Sequence, residues 1–183
     1  AEAIRAGGLE VLEITLRTPS ALDAIRRIRT MGGIEVGAGT VLQPSQVEEA
    51  ADAGASFVVT PGLNPDVIRK AHELKLPVIP GVCTPSEVET ALNLGCTTLK
   101  FFPAQPAGGV GMLKAMAGPY AHTGVKFVPL GGVNASNMGD YLALPVVAGI
   151  GGSWLASSQL IKEQNWEAIT ERTREAVTLA AGA

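Results

Sequence analysis

Lys100 stands in the middle of Leu99-Lys100-Phe101-Phe102-Pro103. Its apolar neighbours, with no turn residue before Pro103, read as a strand. Most lysines are solvated, and an edge strand would leave this one in water. Desolvated inside a protein, its pKa falls and the neutral amine becomes a nucleophile for a carbonyl carbon. That is Schiff-base chemistry.

A second group lies in Val11-Leu12-Glu13-Ile14-Thr15-Leu16-Arg17. Strand alternation puts Glu13, Thr15 and Arg17 on one face and Leu12, Ile14 and Leu16 on the other. A surface ion pair is the plain reading, but it leaves the clean apolar alternation unexplained. Arginine clamps a carboxylate bidentately, and a glutamate near a lysine suits general acid/base work.

The third group is glycine-rich: Val36-Gly37-Ala38-Gly39-Thr40, Leu130-Gly131-Gly132-Val133 and Ile150-Gly151-Gly152-Ser153. Each alone reads as a tight strand-to-helix turn. Two Gly-Gly pairs after the last two strands are more specific, because in barrels the corresponding loops cradle phosphate with backbone N–H groups. Ser153 adds a hydroxyl donor. His72 and His122 read as surface or capping residues, and Trp154 and Trp166 as packing.

These residues need elements to carry them. Strand signals fall at Val11–Leu16, Glu35–Val41, Phe57–Thr60, Pro77–Val82, Thr98–Phe102, Lys126–Leu130 and Val146–Ile150. Between them lie amphipathic segments at Ser20–Thr30, Ser45–Ala53, Asn64–Glu73, Ser86–Leu94 and Ala135–Leu142. Helix starts are signalled by Thr18-Pro19, Pro44-Ser45 and Thr84-Pro85-Ser86 with Glu87 behind it; ends are signalled by Gly54 and Gly95. Strand–helix alternation implies parallel strands with crossover helices. An open doubly wound sheet buries both faces and reads as apolar throughout. Here one strand face carries charge, which favours a (β/α)8 barrel. Seven strands are one too few, and Ala1–Ala6 reads as the tail of a helix. One strand and part of a helix, roughly 20–30 residues, are therefore expected upstream.

The 183 residues suit one domain, 1–183, with one core. A net charge of −3 without a basic stripe speaks against nucleic acid, and no apolar run reaches membrane-spanning length. Cys83 and Cys96 form no metal-ligand pattern, so a reduced, cytoplasmic setting is expected.

The segments LEITLRTPSALDAI, VGAGTVLQPSQ, FVVTPGLNPDVI, IPGVCTPSE, LKFFPA and LGGVNASNMGDYLALPVVAGIGGSW occur in this order across nearly the whole chain. With them the chain resembles the 2-keto-3-deoxy-6-phosphogluconate (KDPG) / 4-hydroxy-2-oxoglutarate (KHG) aldolases, a class I, Schiff-base family. The resemblance implies that Lys100 forms the Schiff base and Glu13 is the general acid/base. It implies that Arg17 and Thr40 bind the carboxylate of the pyruvate half, and that Pro61 and Phe102 line the pyruvate pocket. Gly131, Gly132 and Ser153 would lie at the phosphate end. A phosphorylated 2-keto acid and pyruvate as small-molecule partners, a homotrimer, and neither metal nor cofactor are implied as well. The family usually has Thr at Leu130, which leaves the preferred substrate epimer open, and Glu at Gln105, a position that reads as peripheral. A phosphosugar-binding barrel without catalysis is the competing reading; it needs neither a buried Lys100 nor Glu13 on the same face.

Overall fold

The computed structural model describes residues 1–182. Along them run seven parallel strands, nine α-helices and one 3-10 helix (Gly118–Thr123), in mostly alternating order. The strands are β1 (Val11–Thr15), β2 (Glu35–Gly39), β3 (Phe57–Val59), β4 (Val78–Ile79), β5 (Gly81–Val82), β6 (Thr98–Phe101) and β7 (Lys126–Pro129). The helices are α1 (Glu2–Ala6), α2 (Ala21–Met31), α3 (Pro44–Asp52), α4 (Pro65–Glu73), α5 (Pro85–Asn93), α6 (Gly109–Ala117), α7 (Met138–Leu142), α8 (Ser158–Lys162) and α9 (Trp166–Ala181). The strands follow chain order, β1-β2-β3-β4 and then β5-β6-β7.

The strand expected over Pro77–Val82 is divided into β4 and β5 by Pro80, which has no N–H to give to a ladder. Ile79 still accepts from Thr60 N–H at 3.2 Å, and Pro80 C=O accepts from Lys100 N–H at 2.8 Å. One continuous chain therefore joins the two sheets. The strand expected over Val146–Ile150 is corrected: only the bridge Phe127↔Val147 forms. The segment nevertheless runs along β7, with bonds from Phe127 N–H to Val146 C=O and from Gly151 N–H to Pro129 C=O.

The sheet curves into a (β/α) barrel-like wall. Glu13 on β1 and Lys100 on β6 meet at 3.9 Å. Four inter-strand steps of about 4.8 Å would hold these strands roughly 19 Å apart in a flat sheet. Only curvature brings them together. Among the described residues β1 has β2 as its one strand neighbour.

Parallel register fixes which side chains face inward. Glu13 pairs with Gly37, Gly81 with Lys100, and Lys100 with Val128, so these residues share the inner face. Val36, Ala38, Val58, Val82, Leu99, Phe101 and Phe127 face outward and are buried under the helices in two apolar clusters. Truncating Leu99 or Phe101 to Ala costs about 2–5 kcal/mol.

The helix ends follow local chemistry. Pro44, Pro65 and Pro85 occupy first-turn positions. Thr84 and Glu87 form a reciprocal capping box, with Glu87 Oε2 accepting from Thr84 N–H at 2.8 Å. Thr18-Pro19 does not start a helix; α2 begins at Ala21 after Ser20. Trp166 is half exposed rather than a packing residue. At the C-terminus α9 docks on α1, with the Thr170 hydroxyl donating to Ala3 C=O at 3.0 Å.

Candidate active site

Glu13 and Lys100 lie within strands, and Thr40, Pro61, Phe102 and Gly131 lie just beyond strand carboxyl ends, the end where barrels carry their chemistry. The centre is Lys100. Its side chain is 8% exposed, and its Nζ lies 3.9 Å from Glu13 Oε1 and 5.0 Å from the centroid of the Phe102 ring. Burial pushes the ammonium below its ordinary value of 10.5; the Glu13 carboxylate pulls it back up, and Arg17 pushes it further down. Desolvation is the largest of the three. Lys100 is therefore poised to lose its proton more readily than a surface lysine.

Two glycines make room for these groups. An alanine Cβ at Gly39 would stand on the Glu13 carboxylate, 2.5 Å from Cδ. At Gly37 it would strike the Phe57 ring. The barrel interior is thus filled by Phe57 below and Glu13 above, because β2 carries hydrogen in place of side chains.

Arg17 lies two residues beyond β1 and is exposed. Its Nε donates to Thr15 Oγ1 at 3.2 Å, which holds it over the same face as Glu13. Thr40, just past β2, has φ +56°. For a β-branched residue that is a strained backbone, of a kind that persists where function requires it. Pro61, half-buried, follows β3.

Gly131 and Gly132 follow β7 with φ of +93° and +84°, conformations open to glycine. A Cβ at Gly131 would press on Pro103 and the Phe102 ring, so this turn adjoins the Lys100 end of the site. Gly132 C=O accepts from Asn137 Nδ2 at 3.0 Å. The second Gly-Gly pair lies alongside: Gly151 abuts Leu130, and a Cβ at Gly152 would come 3.0 Å from Val133 C=O. Ser153 is exposed beside it.

Gln105 is not peripheral. Its N–H donates to Gly131 C=O at 2.9 Å, and its Nε2 donates to the buried Tyr141 hydroxyl at 3.0 Å. Sequence reasoning also passed over Thr60, whose buried hydroxyl accepts from Gly81 N–H at 3.2 Å. The signal was a hydroxyl residue ending a strand whose neighbour is interrupted by proline.

With this geometry in place, the comparisons with known proteins are specific. The family model for aldolases, KDPG and KHG aldolase, matches residues 1–172. The chain is 46% identical to a KHG/KDPG aldolase of Escherichia coli strain K12, covering 97% of this chain and 83% of that protein. It is 43% identical to a 2-dehydro-3-deoxy-phosphogluconate aldolase of Haemophilus influenzae, covering 98% and 84%. Among solved structures, KDPG aldolase from Legionella pneumophila, with pyruvate captured as a covalent carbinolamine, is 44% identical with a TM-score of 0.90, covering 94% and 84%. The Zymomonas mobilis KDPG aldolase with 3-phosphoglycerate is 41% identical with a TM-score of 0.90, covering 96% and 82%. At 16% identity and a TM-score of 0.74, a thiamine phosphate pyrophosphorylase from Pyrococcus furiosus shares the fold alone. The chain belongs to the KDPG and KHG aldolase family and is a lyase of the aldolase class.

Proposed function

We propose that the chain is a class I aldolase that cleaves KDPG to pyruvate and glyceraldehyde 3-phosphate, and also cleaves unphosphorylated KHG to pyruvate and glyoxylate. One observation carries the reading: Lys100 is desolvated inside the barrel 3.9 Å from Glu13. A pyruvate carbinolamine in a relative and 3-phosphoglycerate in another support it from outside.

The neutral Lys100 amine attacks the 2-keto carbon and gives a carbinolamine. Loss of water leaves an iminium, an electron sink. Glu13 takes the proton from the 4-hydroxyl, the C3–C4 bond breaks, and its electron pair moves into the iminium to form an enamine. The aldehyde leaves. Glu13 returns its proton to C3, and water hydrolyses the imine to pyruvate and free Lys100. One carboxylate serves each transfer because all occur within one small pocket. Arg17 and Thr40 hold the pyruvate carboxylate, with Pro61 and Phe102 as the pocket wall. The Gly131-Gly132 turn, with Ser153, receives the phosphate through backbone and hydroxyl donors.

Leu130 favours a second electrophile. Alternation from Val128 puts it on the Lys100 face, where its side chain offers the substrate's hydroxylated carbons no hydrogen bond. The galactonate-series epimer is therefore a competing substrate. Steady-state cleavage of both epimers and of KHG ranks them. In the same assay Lys100→Arg abolishes all cleavage, since a guanidinium stays protonated. Glu13→Gln slows cleavage by roughly 100-fold or more. Retained cleavage in Lys100→Arg contradicts the mechanism. The homotrimer rests on the resemblance alone and is checked by light scattering.

A further inference from the structure

Thr60 follows β3 and is 1% exposed. A buried hydroxyl without partners is costly, and this one is used twice. Main-chain rungs run from Val58 N–H to Pro77 C=O and from Thr60 N–H to Ile79 C=O. The next rung of a parallel ladder would run from Gly81 N–H to Thr60 C=O. Instead Gly81 N–H donates to Thr60 Oγ1 at 3.2 Å, and that hydroxyl donates to Gly62 C=O at 2.6 Å.

The two bonds draw the Pro61-Gly62 turn down onto β5. No side chain intervenes: a Cβ at Gly81 would overlap the Pro61 carbonyl and come 2.6 Å from Gly62 N. Gly81 is the register partner of Lys100. One hydroxyl thus ties Pro61 to the strand beside the lysine.

We propose that Thr60 is a positioning residue for pyruvate recognition, clamping the Pro61-Gly62 turn against Gly81 so that Pro61 forms a fixed wall beside Lys100. This rests on the Schiff-base reading of Lys100 above. The hydroxyl does not touch the substrate; it acts through Pro61.

Thr60→Val keeps the volume and branching and removes both bonds, stranding Gly81 N–H and Gly62 C=O. Thr60→Ser keeps the hydroxyl and loses a methyl group. Pyruvate-dependent borohydride trapping, titrated in pyruvate, gives the apparent affinity of each. Thr60→Val is expected to weaken pyruvate binding roughly tenfold, Thr60→Ser to stay near the parent, and inhibition by inorganic phosphate to be unchanged in both. A role in packing alone gives the reverse order, with Val tolerated and Ser impaired; that order, or parental affinity in Thr60→Val, overturns the proposal. Should Thr60→Val not fold, hydrogen exchange at Gly81 N–H in the parent protein decides. Strong protection is expected, and exchange at a loop-like rate overturns it. A parent protein that traps no pyruvate would instead refute the Schiff-base reading itself.

Discussion

Gly39→Ala tests the Glu13 carboxylate without altering Glu13. The new Cβ would stand 2.5 Å from Glu13 Cδ, whereas ordinary contact begins at 3.4 Å. The carboxylate carbon must therefore retreat by about 1 Å, and the oxygen nearest Lys100 by more; a displacement of that size costs on the order of 100-fold in a positioned reaction. The backbone does not resist, because Gly39 lacks a positive φ, and the obstructing atoms end a flexible side chain. The melting temperature is expected to stay near that of the parent. Pyruvate release from saturating KDPG, followed continuously, should fall roughly 100-fold. Borohydride trapping of pyruvate should persist, because Lys100 keeps its place. Parental cleavage would refute the assignment of the base to Glu13. Loss of trapping together with cleavage would show that the substitution acted through Lys100 or the fold.

Lys100→Met is expected to abolish turnover and raise stability, by roughly 2–4 °C in Tm for each kcal/mol gained at this chain length, as read by thermal melts. Burial holds Lys100 below 10.5 in the folded protein. The resulting penalty is full at pH below the folded value and is relieved as pH rises through it toward 10.5, because the unfolded chain then binds the extra proton; denaturant titrations should show the stability difference between parent and variant narrowing there. Cys96, its thiol pushed up by burial, acts in the opposite direction in both proteins and cancels in that difference. The acid limb of imine formation should lie below the ordinary lysine range, shifting down in Glu13→Gln and up in Arg17→Leu, since Glu13 raises and Arg17 lowers the Lys100 value; rate–pH profiles check both signs. Gly132→Asp adds a carboxylate, on a Cβ that would come 2.7 Å from Gln105 Cβ in a backbone at φ +84°. Affinity for the phosphorylated substrate should fall far more than affinity for pyruvate, and equal losses in binding assays would leave the turn a structural role only.

The inward-facing chemistry was legible because strands alternate with period two. Glu13 and Lys100 each interrupt an apolar pattern, and register then places them on one face. Two of the three helix starts marked by proline and caps were legible for the same local reason, at Pro44 and Thr84; Thr18-Pro19 misled, since α2 begins only at Ala21. What failed depended on neighbours. Val146–Ile150 has strand composition, yet it carries only a bridge to β7, and β propensity is decided by pairing and packing. Helix α6 begins Gly-Val-Gly and has poor intrinsic propensity; burial of Leu113 and Met116 holds it. Thr60 and Gln105 gain their roles from partners 21 and 36 positions away, Gly81 and Tyr141, which no local pattern encodes.

The whole mechanism turns on a covalent bond between Lys100 and the substrate. Incubation of the protein with pyruvate and borohydride, followed by peptide mapping, tests it most directly. One reduced pyruvate adduct is expected, on Lys100. An adduct on Lys75, Lys114 or Lys126, or none at all, would contradict it.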